Sequence, residues 1–519
     1  MEIKTDTQFT RNIKCSDVYT ESNADYTLPD YLGDVRKILF TDATLRPAGR
    51  FAGGDEVELS GVVIYNVVYL DSENKITSAE FTSDYDYSVK CDGEKYKDSF
   101  ADTRVSNYAI RVVGPRKLSA RASLVGSVRV SETDFVEVMG DAFDGADMPE
   151  LNNKTVKIHQ TCISALTERE FGESIAKIDG AIADELSVVH SVAEPTVESV
   201  ELDGAYAVVR GKLRMCALIQ NGDEPAYLAE KNVGFEENVA FENADESMRL
   251  APEVSVVSIK SNVNPDEAGC NVTMNCILEI CVIGEKNQPV SLSLDGYLKS
   301  NATENRYEDF KYNELVELIS HREIHNAEIA RGELDDENID SVVFLNATPK
   351  IESVEKEPDG IKISGEVKYN GISMSQSDST PTYSTVKFAA PFETKVNISC
   401  QNNENSQVFA KISANSASAY VSDNKISASC SLESVITVCE EKTEKILVSL
   451  TIDEGAEMPE NEGKITVYYP SGEDTLFSVA KRFRTSTAKV ARDNDLTESV
   501  FADENEGGNL VGVTKLLIY

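Results

Sequence analysis

The chain repeats itself. Pro195-Thr-Val-Glu-Ser-Val200 returns as Pro349-Lys-Ile-Glu-Ser-Val354, and the same ungapped step of 154 residues carries Gly211 onto Gly365. It also lays Asn271-Val-Thr-Met-Asn-Cys-Ile-Leu-Glu279 over Lys425-Ile-Ser-Ala-Ser-Cys-Ser-Leu-Glu433. One further step back from Val272, Met274, Cys276 and Leu278 lands on Leu118, Ala120, Ala122 and Leu124. Solenoid repeats run to about 20–45 residues, so units of this size are domains rather than stacked turns. Any fold for this chain has to be built by using one design three times.

The matched positions alternate with their neighbours, the period of a strand with one buried face. Cys276 and Cys430 fall on that inward face, where the first copy has Ala122, and read as small buried hydrophobes. In the first copy, Val57-Glu-Leu-Ser-Gly61 matches the strand carrying Gly211 and Gly365. A glycine inside a strand pattern marks a bulge or a close backbone approach. Ahead of each unit lies a segment readable as helical or extended: 34–39, 184–189 and 339–344. The expected fold is therefore mainly β. Three tandem sandwich-like repeats (1–152, 153–306 and 307–452) lead through an acidic linker (453–463) to a small β–α–α–β module (464–519).

Composition narrows the function classes. Eighty-nine Asp and Glu against 50 Lys and Arg give a net charge of −39, which argues against nucleic acid, whose phosphates need clustered cations. It favours basic partner patches. No apolar run approaches the roughly 18 residues of a membrane span, and the start shows no charged-then-apolar leader, so the cytosol is the expected location. The ten cysteines form no C-x-x-C pair and read as reduced core thiols. Four histidines leave little material for general-base chemistry. His321 and His325 have helical metal-ligand spacing but lack the glutamate that zinc peptidases place after the first histidine. No phosphate loop, dinucleotide fingerprint or nucleophile elbow is present. The expectation is a non-enzymatic protein with no cofactor and no metal.

In the last segment, Ile465-Thr-Val-Tyr-Tyr469 reads as a strand. Asp474 is placed to cap a helix with Leu476, Val479, Ala480 and Phe483 on one face. Thr485 or Ser486 starts a second helix burying Val490 and Ala491, and Lys515-Leu-Leu-Ile-Tyr519 supplies a closing strand that pairs with the first. Lys481, Arg482, Arg484, Lys489 and Arg492 concentrate positive charge on the two helices, a face suited to an acidic protein surface.

The run Gly472-Glu-Asp-Thr-Leu-Phe-Ser-Val-Ala-Lys-Arg-Phe483, with Val490, Asn494, Leu496, Gly512 and Leu517-Ile518, resembles the lysin motif (LysM) across 464–519. It departs from that pattern by the extra Glu473, by Arg484 in place of a glycine, and by an acidic insert after Glu498. The resemblance implies a groove made by Gly472, Glu473, Asp474, Thr475, Leu476 and Phe477 with Asn494, Asp495, Leu496 and Thr497, taking N-acetylglucosamine glycans in sugar-binding members. Phe477 stands where the family often has tryptophan. Leu28-Pro-Asp-Tyr-Leu-Gly-Asp-Val-Arg-Lys-Ile-Leu39 and Pro115-Arg-Lys-Leu-Ser-Ala-Arg121, ahead of a terminal LysM, make the whole chain resemble the SPOCS-domain proteins of endospore-forming bacteria. That resemblance implies a spore-envelope scaffold in the mother-cell cytosol, at the spore surface, its LysM module docked on a SpoIVA-like coat morphogenetic ATPase. The alternative is a cell-wall-associated protein holding peptidoglycan glycans.

Overall fold

The computed structural model describes residues 5–14, 17–46, 49–53, 56–90, 96–140, 148–242, 244–334, 338–358, 360–376, 381–398, 406–422, 424–453, 455–456, 465–496, 508, 510 and 512–519. The chain is mainly β. Strands β1 (Thr5–Lys14), β2 (Val18–Thr27), β3 (Val35–Leu45), β4 (Gly49–Gly53), β5 (Glu56–Asp71), β6 (Ile76–Lys90), β7 (Tyr96–Gly114) and β8 (Lys117–Gly140) form the first body. The second holds β9 (Glu150–Ile163), β10 (Thr167–Asp179), β11 (Leu186–Asp203), β12 (Tyr206–Asn221), β13 (Tyr227–Ala240), β14 (Arg249–Asp266) and β15 (Gly269–Tyr297). The third holds β16 (Thr303–Ala330), β17 (Ser341–Glu357), β18 (Gly360–Ser375), β19 (Thr382–Asn397), β20 (Ser406–Val421) and β21 (Lys425–Ile452).

Each body is built from two sets of antiparallel strands, and the long strands of the first and third bodies join in one seven-stranded sheet through a short parallel pairing of β8 with β21. One set is a meander centred on β5, β12 or β18. The other is a long hairpin, β7–β8, β14–β15 or β20–β21, whose second strand also pairs with the strands that open the body. The segments read as helical or extended are extended: they open β3, β11 and β17. The divisions at 152/153 and 306/307 fall inside β9 and β16, which begin at Glu150 and Thr303.

Alternation explains the cores. Leu118, Ala120, Ala122 and Leu124 on β8, Val272, Met274, Cys276 and Leu278 on β15, and Ile426, Ala428, Cys430 and Leu432 on β21 are all buried. In each body they face the meander sheet across a shared core. Burial pushes the Cys276 thiol up to about 12, the inert behaviour of an apolar-site cysteine. Gly61, Gly211 and Gly365 stand opposite Tyr85, Phe235 and Phe392 on the neighbouring strand. A Cβ at any of them would overlap the facing ring. Register shifts at Val197/Ser199 and Ile351/Ser353 follow directly. These glycines let an aromatic ring lie across the strand, beside a bulge in the second and third bodies.

The bodies meet around one centre. The step that carries Gly61 onto Gly211 also carries Phe40 onto His190, and the 154-residue step carries His190 onto Phe344. These three rings form a triangle with centroids 5.1–5.3 Å apart. Leu39, Val189, Leu218, Ile372 and Tyr383 pack around it. A polar tie joins the first and third bodies there: the Asn370 amide donates at 2.9 Å to the Thr41 carbonyl, which also accepts from Tyr108 of its own body at 2.7 Å. A second shared cluster, including Phe9, Ile158, Leu292, Tyr312 and Ile446, joins the long strands of all three bodies.

The tail carries β22 (Thr466–Tyr468), α1 (Leu476–Phe483), α2 (Thr487–Asp493) and β23 (Leu516–Ile518), with β22 and β23 antiparallel.

Candidate functional site

The tail is assembled around one small core. Leu476, Val479 and Ala480 of α1 meet Val490 and Ala491 of α2 over Leu516 and Ile518 of β23. Helix α1 starts with a reciprocal cap: the Thr475 hydroxyl accepts from the Ser478 N–H, and the Ser478 hydroxyl accepts from the Thr475 N–H. Asp474, expected as the cap, instead accepts from the Ser471 N–H (2.7 Å), the Ser471 hydroxyl and the Tyr468 hydroxyl (2.9 Å each). Those bonds, the Ser471 amide first, hold its carboxyl below the usual range. The Ser486 hydroxyl caps α2 by accepting from the Lys489 N–H.

The residues expected to make a groove are mostly engaged within the fold. Leu476 and Phe477 are buried. The Asn494 amide donates to the Val490 and Leu517 carbonyls (2.9 and 2.8 Å) and accepts from the Leu517 N–H. It ties α2 to the last strand, and both of its N–H donors are spent on backbone carbonyls. Leu496 packs against the core. Gly472, Glu473 and Asp495 are exposed, and Asp495 has a left-handed φ of 50°. Thr497 lies outside the described residues.

The basic residues do not form one free face. Lys481 pairs with Asp295 of the second body. Arg484, at the left-handed C-cap where a glycine is common, donates to the Asn301 carbonyl at 2.7 Å. Tyr297, at the end of β15, enters the tail core: its ring meets Phe477 edge-on at 5.3 Å and its hydroxyl donates to the Thr485 carbonyl at 2.6 Å. The tail is therefore seated on the second body through α1. Arg482 lies over the Tyr468 ring, and Lys489 donates to the Tyr519 carbonyl at 2.9 Å. Arg492 is exposed beside Asp493.

On the opposite side of the module is a feature the sequence reading missed. Val467 and Leu517 are directly paired, so Ile465, Val467 and Tyr469 share the outer face of the two strands with Lys515, Leu517 and Tyr519. Ile465, Val467, Tyr469 and Tyr519 are 61%, 48%, 70% and 54% exposed. The alternation of Ile465, Val467 and Tyr469 was the available signal, but a two-strand sheet has two faces and sequence does not say which is covered.

Outside the tail, the most chemically loaded cluster bridges the bodies. The Cys439 Sγ lies 3.3 Å from His159 Nδ1, and His159 Nε2 lies 2.6 Å from Glu285 Oε2, which also accepts from Thr161 at 2.6 Å. Nucleophile, base and carboxylate are in the order of a covalent catalyst. Cys439, however, is 2% exposed and does not line the nearby cavity of about 360 Å³, whose walls include Arg129, Glu285 and Lys411 from the three bodies. Burial would lower the His159 pKa, but hydrogen bonds to Cys439 and Glu285 outweigh it and raise it to about 9. The cluster is an internal charged tie. His321 and His325 lie on strand β16, not a helix, and His325 contacts the Tyr369 hydroxyl (2.8 Å) and the Pro391 carbonyl (3.0 Å). Among the described residues no group of three or more His, Cys, Asp or Glu is placed to hold a metal ion, and no helix is long and apolar enough to cross a membrane.

Comparison with protein-family models, curated proteins and solved structures returns no match for this chain.

Proposed function

We propose that this chain is a non-enzymatic scaffold of three repeats whose C-terminal LysM-like module docks onto a protein partner. The observation that carries the reading is the outer face of β22 and β23. Ile465, Val467, Tyr469 and Tyr519 stand exposed together beside Lys515 and the Lys489 ammonium on a chain of net charge −39. Exposed aromatic and aliphatic side chains with cationic neighbours have the composition of a protein-binding hot spot. The large β bodies supply a rigid mount, as a scaffold requires.

The resemblance to SPOCS-domain proteins supplies the setting and partner: assembly of the spore envelope in the mother-cell cytosol, with a SpoIVA-like coat morphogenetic ATPase bound. The glycan alternative has less support, because Phe477 is covered by Tyr297 and the Asn494 amide is engaged by the backbone.

The test uses the full chain beside the double variant Val467→Glu/Tyr469→Ser, each offered the purified ATPase and, separately, purified peptidoglycan. The reading expects binding to the ATPase that weakens at least about tenfold in the variant, falls as salt rises, and has no peptidoglycan counterpart. Sedimentation with peptidoglycan and indifference to the ATPase would overturn it.

A further inference from the structure

The contact between the tail and the second body has the form of a filled binding site. Asp295 and Tyr297 lie two apart on β15, so both side chains leave the same face of the strand. Gly296 between them turns toward Leu450, Leu151 and Leu447 of the bodies. The two projecting side chains meet complementary groups on the module. The Tyr297 ring rests edge-on against Phe477, its hydroxyl donates to the Thr485 carbonyl, and the Asp295 carboxylate takes the Lys481 ammonium. Arg484 adds a bond to the Asn301 carbonyl just beyond. The other oxygen of Asp295 accepts from Tyr307 (2.7 Å) and Asn305 (3.1 Å), so the body presents the carboxylate ready-made.

We propose that the α1 face of the C-terminal module is a docking socket for an extended acidic–x–tyrosine segment, and that Asp295-Gly-Tyr297 fills it in cis. The socket lies on the opposite side of the module from the outer sheet face, so the inference stands apart from the partner docking proposed above. Its ligand class follows from its lining. Phe477 and the apolar floor of α1 take an aromatic ring, the Thr485 carbonyl requires that ring to carry a donor, and Lys481 selects a carboxylate one strand period away. Recognition of an extended segment through alternate side chains is a common mode of peptide capture. Tethering makes the internal segment a strong competitor, because a short linker holds it at an effective concentration in the millimolar range. A segment from another protein engages only when the internal one is displaced, so the contact is autoinhibitory.

The test is made on the full chain with a fluorescent peptide copying residues 291–299 (Ser-Leu-Ser-Leu-Asp-Gly-Tyr-Leu-Lys). Tyr297→Ala and, separately, Asp295→Lys open the latch. The second leaves the aromatic core of the module intact. Anisotropy titration is expected to show the peptide binding both opened chains at least about tenfold more tightly than the unaltered chain. A peptide with Lys and Ala in place of its Asp and Tyr is expected to bind none of them, and Lys481→Glu in an opened chain to abolish binding. Helix integrity is read by amide exchange at 476–483. An opened chain with α1 protected that ignores the peptide would overturn the proposal. So would equal affinity for opened and unaltered chains, or binding indifferent to Lys481→Glu.

Discussion

Replacing His159 with glutamine removes a charge from the junction between bodies, and its consequence can be worked through in pH. In the folded chain the imidazole lies between the Cys439 thiol and the Glu285 carboxylate, both almost fully buried. It titrates at about 9 rather than the ordinary 6.5. The folded state therefore holds the proton more tightly than the unfolded chain. The stabilisation is complete below about 6.5 and is lost as pH rises through about 9. The difference corresponds to about 3 kcal/mol. Glutamine takes away the nearer of the two cations of buried Glu285, Arg129 remaining 3.8 Å from its other oxygen, so the cost stays below the about 3–5 kcal/mol of a buried pair broken outright. Urea unfolding of the full chain at pH 6, 7.5 and 9 tests this, following the transition that exposes Cys439 to a thiol reagent. The native chain is expected to lose stability across that range, and His159→Gln to unfold at lower urea with a much flatter dependence. Identical alkaline slopes in the two proteins would refute the assignment of the charged tie to His159.

Three further outcomes follow from the fold. His190, whose pKa burial between Phe40 and Phe344 lowers to about 4, is neutral when folded, so stability is lost as pH falls from about 6.5 toward about 4; His190→Phe should recover about 1–2 kcal/mol at pH 5, after allowing for the partly exposed ring, measured by thermal unfolding. Gly365→Ala drives a methyl into the Lys350 carbonyl and the Phe392 ring and should cost about 1–3 kcal/mol, read as a lower denaturation midpoint. Cys216 and Cys276, with thiols pushed up to about 12 mainly by burial, should stay unmodified by iodoacetamide in the native chain at neutral pH, as mass spectrometry of the alkylated protein would show.

The strand cores were legible because burial on one face of a strand writes itself into a two-residue period. Leu118 to Leu124, Val272 to Leu278 and Ile426 to Leu432 are inward in the structure for that reason. The two helices of the tail were legible from the spacing of Leu476, Val479 and Ala480. Their first cap was not: Asp474 and Thr475 are adjacent oxygens of similar reach, and which one accepts the N3 amide depends on the turn that Ser471 makes with Asp474. The seating of the tail left no local signal. Tyr297 is distant in sequence from Phe477, and Lys481 and Arg484 look the same in sequence whether they face solvent or Asp295 and Asn301. The triangle of Phe40, His190 and Phe344 lay within the repeat alignment, yet equivalence of positions does not say that equivalent side chains touch.

The most direct test of the functional account is amide hydrogen exchange across the tail, with and without the coat ATPase bound to the full chain. The account predicts new protection at 465–469 and 515–519. Protection confined to 472–476 and 494–496, with the outer strands unchanged, would contradict it.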